Sequence, residues 1–247
     1  ALPGQFVTVR CKDFVLRRPF SIYQVSSPSS PSMGENSGEG GIAILFQVVG
    51  RGTLWLSQRQ IGDKLDILGP LGNGFRIEPS SRNLLLVAGG IGIAPLVFLT
   101  QNASPQHSIT LIHGASTAGG IYPFPSLRAK RNNLPLLPDK VQFIPVTEDG
   151  SVGGKGLVTD ILPDFLDWAD QICACGPIDM YKAMAEMSLR AKRSNLKKCQ
   201  ISLEVRMGCG IGACYGCTIN TKRGLKKVCH DGPVFELNDI LWKEVRI

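Results

Sequence analysis

The stretch Cys209-Gly-Ile-Gly-Ala-Cys214-Tyr-Gly-Cys217, completed by Cys229, decides how the rest of the chain is interpreted. Its cysteines have the spacing C-x4-C-x2-C, followed by C-x11-C. Four thiolates at this plant-type spacing hold a [2Fe–2S] cluster. The glycines among them allow the backbone conformations that a loop around a cluster needs, and they let amide N–H groups approach the sulfides. The spacing therefore predicts that the four cysteines bind an iron–sulfur cluster.

A zinc site and a disulfide framework are the two alternatives for these cysteines. Zinc sites usually show two C-x2-C pairs, and this stretch has only the pair formed by Cys214 and Cys217. A disulfide framework suits a small secreted chain better than one of 247 residues. The other four cysteines lie in apolar, strand-like surroundings and are expected to be buried or free thiols: Cys11, Cys173, Cys175 and Cys199.

The composition is that of a globular chain with one large domain or two to three small ones, since 43% of its residues are hydrophobic and 19% are charged. No apolar run approaches the length of a membrane span, and the start shows no secretion signal. Eight cysteines without such a signal fit a reducing compartment. We therefore expect a cytoplasmic protein with no membrane span.

The net charge of +7 is concentrated in basic runs at 128–131, 190–193, 197–198 and 222–227. Nucleic-acid binding is one interpretation of these runs. Aromatic residues do not interleave with them, however, and no nucleic-acid-binding motif is present. A solvated basic face that attracts an anionic dinucleotide or an acidic partner is favoured instead.

Residues 1–79 predict a small antiparallel barrel, because short strands alternate with Gly/Pro turns. The candidate strands are 5–11, 19–26, 41–49 and 64–68, and the Ser- and Gly-rich stretch 27–40 is expected to be a mobile loop. Arg18-Pro19-Phe20-Ser21 brings a cation, a rigid turn and a hydroxyl to one strand entry. Gly52-Thr53 opens a short helix whose free N–H groups suit a pyrophosphate, although a plain helix cap has the same sequence.

Residues 80–193 predict a parallel α/β sheet, because apolar strands alternate with helical stretches. Strand 83–88 runs into Gly89-Gly-Ile-Gly92, a turn that lets a diphosphate approach the backbone, although the G-x-G-x-x-G fingerprint is absent. Strand 171–175 ends in Cys175-Gly176, and ligands of open α/β sheets lie at such strand ends. Cys175 is therefore expected to face a ligand, with a buried structural thiol as the equal alternative. His113 is expected to be a core or rim histidine with satisfied hydrogen bonds.

Residues 194–247 are predicted to form the cluster-binding module, with a strand at 200–204, the ligand loop and a basic hairpin at 218–228. The order of motifs along the whole chain resembles the ferredoxin–NADP reductase superfamily, in which a barrel binds FAD and an α/β domain binds a nicotinamide dinucleotide. The motifs that carry this resemblance are Arg18-Pro-Phe-Ser21, Gly52-Thr53, Gly69-Pro-Leu-Gly-Asn-Gly-Phe75, Gly89-Gly-Ile-Gly-Ile-Ala-Pro95 and Cys175-Gly-Pro177.

With the C-terminal cysteine motif and Cys229-His-Asp-Gly-Pro-Val-Phe235, the chain is similar to the electron-transfer subunits of B-type, NAD-dependent dihydroorotate dehydrogenases. By matching position, the resemblance implies that the flavin and its phosphates are lined by Arg18, Pro19, Phe20 and Ser21. It implies that Leu45, Phe46 and Gln47 lie along the isoalloxazine ring and ribityl chain, and that Gly52 and Thr53 hold the pyrophosphate. It implies that the dinucleotide is received by Gly89, Gly90, Ile91 and Gly92, with Cys175 and Gly176 near the nicotinamide. Cys175 is the candidate catalytic residue. It also implies cluster ligation by Cys209, Cys214, Cys217 and Cys229.

The resemblance implies a chain of carriers rather than a site of substrate chemistry. FAD would exchange a hydride with NAD(H), and the cluster would pass single electrons to or from the FMN of a dihydroorotate dehydrogenase catalytic subunit, in de novo pyrimidine (UMP) biosynthesis. The partner would join in a heterotetramer of two plus two subunits, with the basic residues at 222–227 as candidates for docking. NADH is favoured over NADPH, because Ala115-Ser-Thr-Ala118 offers no Arg or Lys to a 2′-phosphate.

The sequence departs from the family pattern in three places. Family members usually have another strand before Pro3-Gly-Gln-Phe6, so part of the first barrel hairpin is expected to be missing. The loop 27–40 is longer than usual, and Gln47 stands where a basic residue is common. The alternatives are a related flavin/iron–sulfur reductase subunit, of sulfite reductase, hydrogenase or transhydrogenase type, and a non-catalytic redox-sensing regulator on the same scaffold.

Overall fold

The computed structural model describes residues 1–12, 14–26, 40–122, 137–190 and 198–245. Several predicted features therefore lie outside the described residues: the loop 27–40 except Gly40, the basic run 128–131, and most of the basic residues at 190–198.

The N-terminal part forms a four-stranded antiparallel sheet, in agreement with the antiparallel β structure predicted for 1–79. Its elements are β1 (Phe6–Val9), β2 (Arg18–Ser26), β3 (Gly41–Ile44), helix α1 (Arg51–Ser57) and β4 (Ile67–Leu71). The strand order is β3-β2-β1-β4. Strand β4 begins three residues later than predicted and contains Gly69 and Pro70, which an edge strand tolerates because its outer N–H groups need no partner.

A seven-stranded sheet forms the centre of the molecule. In chain order its elements are β5 (Asn83–Gly89), α2 (Ile93–Asn102), β6 (Ser108–Ala115), β7 (Val141–Thr147), β8 (Gly154–Lys155), α3 (Val158–Ile161), β9 (Gln171–Cys175), α4 (Ile178–Arg190) and β10 (Cys199–Ser202). They are followed by the hairpin β11 (Thr218–Thr221) and β12 (Gly224–Lys227), helix α5 (Val228–Asp231) and β13 (Val234–Glu236). The sheet order is β13-β10-β9-β5-β6-β7-β8, and only β13 runs antiparallel to its neighbour.

Strand β5 is buried on both faces, as expected for an apolar run in the middle of a parallel sheet. Alternate side chains point to opposite faces. Leu85 and Val87 accordingly join one hydrophobic core, whereas Leu84 and Leu86 join another. The carboxyl ends of the parallel strands meet along one edge, where the glycine turn and Cys175 were predicted to lie.

Helix α2 lies between the two sheets and is buried from Ile93 to Thr100. A helix that is apolar nearly all round is typical of such a position. Its Phe98 packs with Ile22 in the core of the N-terminal sheet, and its Leu96 packs in the core that contains Leu84. The glycine turn that begins this helix is therefore fixed relative to the N-terminal sheet.

The C-terminal segment shares its core with the central sheet. Strand β10 pairs with β9 in parallel, and β13 covers the other edge of β10. Cys217, Ile219 and Val228 are buried in the same hydrophobic cluster as Leu85 and Tyr181. The predicted domain boundary at 193/194 stays a prediction, and both strands that follow it in this sheet belong to the proposed cluster module.

Within the described ranges, no helix combines the length and the apolar character that crossing a membrane requires.

Candidate functional site

The structure brings the four predicted cluster ligands together as two pairs. Cys217 Sγ lies 3.3 Å from Cys229 Sγ, and Cys209 Sγ accepts the N–H of Cys214 at 3.4 Å. All eight cysteines lie in the described ranges and are free thiols, so the disulfide alternative is not realised. Across the same ranges, no three His, Cys, Asp or Glu side chains are grouped so as to hold a single metal ion. Two separate pairs suit the two irons of a [2Fe–2S] cluster better than one tetrahedral zinc.

Backbone N–H groups of the loop point at the sulfur atoms. Gly212 donates to Cys229 Sγ at 3.1 Å, Gly216 to Cys214 Sγ at 3.4 Å and Ile211 to Cys209 Sγ at 3.5 Å. Gly212 has a φ of 82°, and a Cβ there would lie 3.0 Å from the Cβ of His230. The loop therefore needs glycine at this position, and its amides stabilise negative charge on the ligands.

The ligands differ in how easily they lose the proton that coordination displaces. Hydrogen bonds from the Ile211 and Cys214 N–H groups lower the pKa of Cys209 to about 6. Burial, together with the neighbouring Cys217 thiol, raises the pKa of Cys229 to about 12. Cys209 thus offers a thiolate near neutral pH, whereas Cys229 needs the charge of the metal itself to displace its proton.

The cluster loop reaches the surface beside an apolar and basic patch. Cys214 is exposed, and so are the neighbouring Ile211, Tyr215 and Leu225, at 54%, 67% and 69% of their surface. Lys227 Nζ lies 4.7 Å from the centre of the Tyr215 ring. One side of the ligand loop is therefore open to a partner molecule.

A cavity of about 530 Å³ lies between the N-terminal sheet, the end of β9 and the segment that leads into the cluster loop. It is lined by residues 16–19, 176–178 and 204–207. Three of these residues were predicted to bind a cofactor: Arg18, Pro19 and Gly176. The other lining residues were not predicted as site residues. Met207 stands two residues before Cys209, so the cavity adjoins the ligand loop. The only sequence signal for 204–207 is its position between a strand and a cluster ligand.

Positive groups meet at the beginning of α1. A Cβ on Gly52 would lie 3.3 Å from Arg18 Nε, so the two residues predicted at the flavin pyrophosphate are in contact. The guanidinium groups of Arg18 and Arg51 both lie 5.6 Å from the ring centre of Phe14. The Thr53 hydroxyl accepts the N–H groups of Val49 and Gly50, so it closes the turn. Two guanidinium groups beside Gly52 fit a diphosphate.

The other predicted flavin residues surround this strand entry. Phe20 and Phe46 pack ring to ring, with centroids 5.5 Å apart. Leu45 packs against the core of the central sheet, and Gln47 is exposed. Ser21 pairs with Phe6 of β1. Phe20 and Phe46 thus stand on neighbouring segments beside Arg18, whereas Gln47 points to solvent.

The two segments predicted to receive the dinucleotide are in direct contact. Gly90–Gly92 forms a 3-10 turn between β5 and α2. A Cβ on Gly176 would lie 2.9 Å from the N atom of Gly89, and one on Gly92 would collide with the Cys175 carbonyl. Only glycine permits this approach of the two strand ends. Gly89 to Gly92, with Ile91 between them, and Cys175-Gly176 therefore form one surface.

His113 holds the glycine turn from behind. Its Nδ1 accepts the N–H of Tyr122 at 3.2 Å, so Nε2 carries the proton and donates to the carbonyl of Gly90 at 2.9 Å. Burial lowers the pKa of His113 to about 4, which keeps the ring neutral. The sequence indicated a histidine with satisfied hydrogen bonds but not its contact with the glycine turn.

The thiol of Cys175 is turned toward strand β10. Its Sγ lies 3.8 Å from the carbonyl oxygen of Ser202, and burial raises its pKa to about 12. A thiol that holds its proton this firmly is a poor nucleophile. The geometry favours a wall position for Cys175 over a role in covalent chemistry.

A carboxylate, that of Glu148 just after β7, lies beside Ser116 just after β6. Ser116 Oγ donates to Glu148 Oε1 at 2.8 Å. In the sequence, Glu148 stands in a turn 32 positions after Ser116, and only the fold brings its carboxylate beside the segment 115–118.

Comparison with known proteins agrees with this arrangement. Residues 204–241 match the family model of the iron-sulfur cluster binding domain of dihydroorotate dehydrogenase B, and residues 86–186 match the oxidoreductase NAD-binding domain. Among solved structures, a chain of an NADH-dependent reduced ferredoxin–NADP oxidoreductase, described in connection with flavin-based electron bifurcation, is similar with a TM-score of 0.75. It is 29% identical, and the match covers 98% of this chain and 80% of that one. This similarity confirms the predicted fold.

Two curated relatives are each named dihydroorotate dehydrogenase B (NAD(+)), electron transfer subunit. The protein from Desulforamulus reducens is 37% identical over 256 residues, which cover 98% of this chain and 88% of that protein. The protein from Caldanaerobacter subterraneus subsp. tengcongensis is 37% identical over 246 residues, covering 97% and 87%. The chain therefore belongs to the family of electron transfer subunits of NAD(+)-dependent dihydroorotate dehydrogenase B.

Proposed function

We propose that this oxidoreductase subunit passes electrons between NAD(H) and a catalytic subunit through FAD in the 530 Å³ cavity and a [2Fe–2S] cluster on the four paired cysteines. One observation carries the proposal. The same cavity touches the predicted flavin strand at Arg18, the predicted nicotinamide wall at Gly176 and the entry to the ligand loop at Met207. Carriers held there lie in the order that the transfer requires.

FAD, when bound, exchanges a hydride with NAD(H), and its electrons pass one at a time to the cluster. The protein's own part is to bind and to orient. The diphosphate would be held by Arg51 and Gly52 at the beginning of α1, together with Arg18 at the beginning of β2. Phe20 and Phe46 would pack beside the flavin, and the glycine turn would receive the dinucleotide. Cys175 would contribute to the wall as a neutral thiol.

The cofactor preference is proposed to be NADH. Ser116 follows β6 and Glu148 follows the neighbouring strand β7, at strand ends where an acidic side chain can accept a hydrogen bond from the ribose 2′-hydroxyl. The same carboxylate would repel the 2′-phosphate of NADPH.

The partner is proposed to be an FMN-containing dihydroorotate dehydrogenase catalytic subunit, in a heterotetramer of two plus two, in the cytoplasm. Support comes from the names of the relatives and from the free thiols of Cys11, Cys173, Cys175 and Cys199, which suit a reducing compartment. The docking face would combine exposed Ile211, Tyr215 and Leu225 with the basic hairpin, beside the exposed ligand Cys214. Apolar anchors within a charged rim are typical of interfaces.

The visible spectrum of the purified protein under anaerobic conditions tests the carrier chain. We expect flavin bands on a broad iron–sulfur absorption, and both should bleach when NADH is added. A spectrum that stays unchanged with NADH would contradict the proposal. An iron–sulfur absorption without flavin would mean that the described sheet does not retain FAD.

Charge reversal tests the docking face. Lys222→Glu with Lys226→Glu should weaken assembly with the catalytic subunit, measured as the mass of the complex by light scattering. The matched control is Lys64→Glu with Lys155→Glu, which changes the net charge by the same amount outside the basic hairpin. Lys64 lies between α1 and β4, and Lys155 lies in β8. If both double variants assemble like the wild type, the basic hairpin is not the docking face.

A second candidate is a reductase subunit of transhydrogenase type, which the 29% identity to the ferredoxin–NADP oxidoreductase chain favours. Mixing the purified chain with a dihydroorotate dehydrogenase catalytic subunit separates the two. NADH formation from dihydroorotate supports the first candidate, and a complex that never forms supports the second.

A further inference from the structure

One buried hydroxyl joins two strand ends beside the cavity. Tyr181 of α4 has none of its surface exposed. Its Oη accepts the N–H of Gly176 at 2.8 Å and donates to the carbonyl oxygen of Ser202 at 2.7 Å. Burial raises the pKa of the phenol well above its usual value, so the group keeps its proton and can make both bonds at once.

These two bonds lie where the strand pairing stops. The ladder between β9 and β10 ends with the pair Cys175 and Ser202. Beyond it, the chain after Cys175 becomes one wall of the cavity at Gly176, and the chain after Ser202 becomes another at 204–207 before it reaches the cluster ligands. The phenol therefore joins the two chain segments by hydrogen bonds just beyond the last residue pair of the β9–β10 ladder.

We propose that Tyr181 is a positioning residue that sets the separation between the nicotinamide wall at Gly176 and the segment 204–207 leading to the cluster. The inference rests on the proposed function, because it assigns the two walls to the nicotinamide and to the path toward the cluster. Tyr181 touches no reacting atom and acts through Gly176 and Ser202.

The hydroxyl, rather than the ring, has this role. The ring packs against Trp242, with centroids 5.8 Å apart, and a phenylalanine would fill the same space. Without the hydroxyl, however, the buried Ser202 carbonyl would keep only the long contact with the Cys175 thiol, and the Gly176 N–H at the cavity wall would lose this partner. Buried backbone groups rarely stay unpaired, so one wall would shift to find water or another partner.

The test compares Tyr181→Phe with wild type, both loaded with FAD and cluster, by stopped-flow reduction of the flavin with NADH. The limiting rate at saturating NADH should fall on the order of tenfold, because small displacements at a reacting centre are costly. The control is Tyr23→Phe, which loses a buried hydrogen bond of 2.7 Å to the Tyr122 hydroxyl and leaves the Gly176 to Ser202 link intact. Its limiting rate should equal that of the wild type.

A second readout does not depend on turnover. Hydrogen–deuterium exchange at the Gly176 amide of the flavin-free protein should be at least tenfold faster in Tyr181→Phe than in the wild type or in Tyr23→Phe. A variant with unchanged exchange and an unchanged limiting rate overturns the proposal. Equal slowing in both phenylalanine variants overturns it too, since the effect would then be one of general stability.

Should Tyr181→Phe fail to fold, 4-aminophenylalanine at position 181 takes its place. This residue keeps the ring and a donor toward Ser202 but accepts the Gly176 N–H poorly, so positioning again requires a slower limiting rate. A rate equal to that of the wild type overturns the proposal. Failure of the proposed function looks different, because the wild type itself would then not transfer hydride from NADH.

Discussion

The side-chain amide of Asn73 donates a hydrogen bond of 3.0 Å to the carbonyl oxygen of Asp231. The same amide contacts the His230 carbonyl at 3.4 Å, and the Asn73 backbone N–H donates to Gly232 at 2.6 Å. These three carbonyls directly follow Cys229, the fourth proposed cluster ligand. The turn 69–75 of the N-terminal part therefore holds the segment that carries the fourth ligand.

Asn73→Ala should loosen the cluster, because it removes both side-chain bonds and keeps the backbone bond. Hydrogen bonds of this kind contribute about 0.5–1.5 kcal/mol each. The two bonds together amount to about 1–3 kcal/mol, so release of iron to a chelator should be roughly five to a hundred times faster, measured by the decay of iron–sulfur absorbance. Asn102→Ala is the control, since its amide bonds to the Phe98 carbonyl within α2, away from the cluster. Equal release rates in the two variants would show that Asn73 does not hold the ligand segment.

Arg18→Gln should weaken FAD binding, because the guanidinium beside Gly52 is the proposed partner of the diphosphate. Charge-assisted hydrogen bonds contribute about 1.5–3 kcal/mol, so the dissociation constant should rise roughly tenfold to hundredfold. Binding of riboflavin, which lacks phosphates, should not change. Arg10→Gln, which removes an exposed ion pair with Asp66, should leave FAD binding as it is. If the affinities for riboflavin and FAD fall equally, Arg18 does not bind the diphosphate.

Glu148→Arg should reduce the preference for NADH over NADPH. The carboxylate that would repel a 2′-phosphate is replaced by a guanidinium that can bind it. We expect the ratio of kcat/KM for the two dinucleotides to shift by about tenfold or more toward NADPH, with an artificial electron acceptor. Glu78→Arg makes the same charge change away from β6 and should keep the wild-type ratio. If the ratio of kcat/KM values is unchanged in Glu148→Arg, Glu148 does not contact the ribose 2′ position.

The buried His113 should make the protein less stable as the medium becomes acidic. Its pKa is about 4 in the folded protein against an ordinary value of 6.5, so between these values the unfolded chain binds a proton that the folded chain does not. Stability is therefore lost as the pH falls from 6.5 toward 4, by about 3 kcal/mol at 1.36 kcal/mol per pH unit. His113→Gln should flatten this part of the curve, measured by denaturant unfolding at several pH values. A variant with the wild-type slope would show that other groups cause the loss.

The sequence predicted best what local spacing determines. Three of the four cysteines proposed as cluster ligands are neighbours in a short loop, and the fourth is one hairpin away, so their spacing alone indicated that they lie close together. The glycine turn was predicted for the same reason, because a buried strand, a Gly-rich turn and a helix follow one another directly.

Contacts between distant segments could not be predicted from spacing. Tyr181 looks like any apolar position of an amphipathic helix, and only the fold brings its hydroxyl between Gly176 and Ser202. Asn73 similarly looks like a turn residue until the chain returns 158 positions later at Asp231. Strand β10 was predicted, but its place beside β9 depends on which edge of the central sheet is free.

The placement of β10 also bears on how electrons can travel. Since β10 is hydrogen-bonded to β9 and flanked by β13, Gly176 and the segment 204–207 that leads to the proposed cluster loop both extend from one continuous sheet. Carriers attached to such a frame do not have to swing toward each other between turnovers. Solvent viscosity, which slows carriers on swinging tethers, should accordingly leave the internal transfer step of this chain untouched.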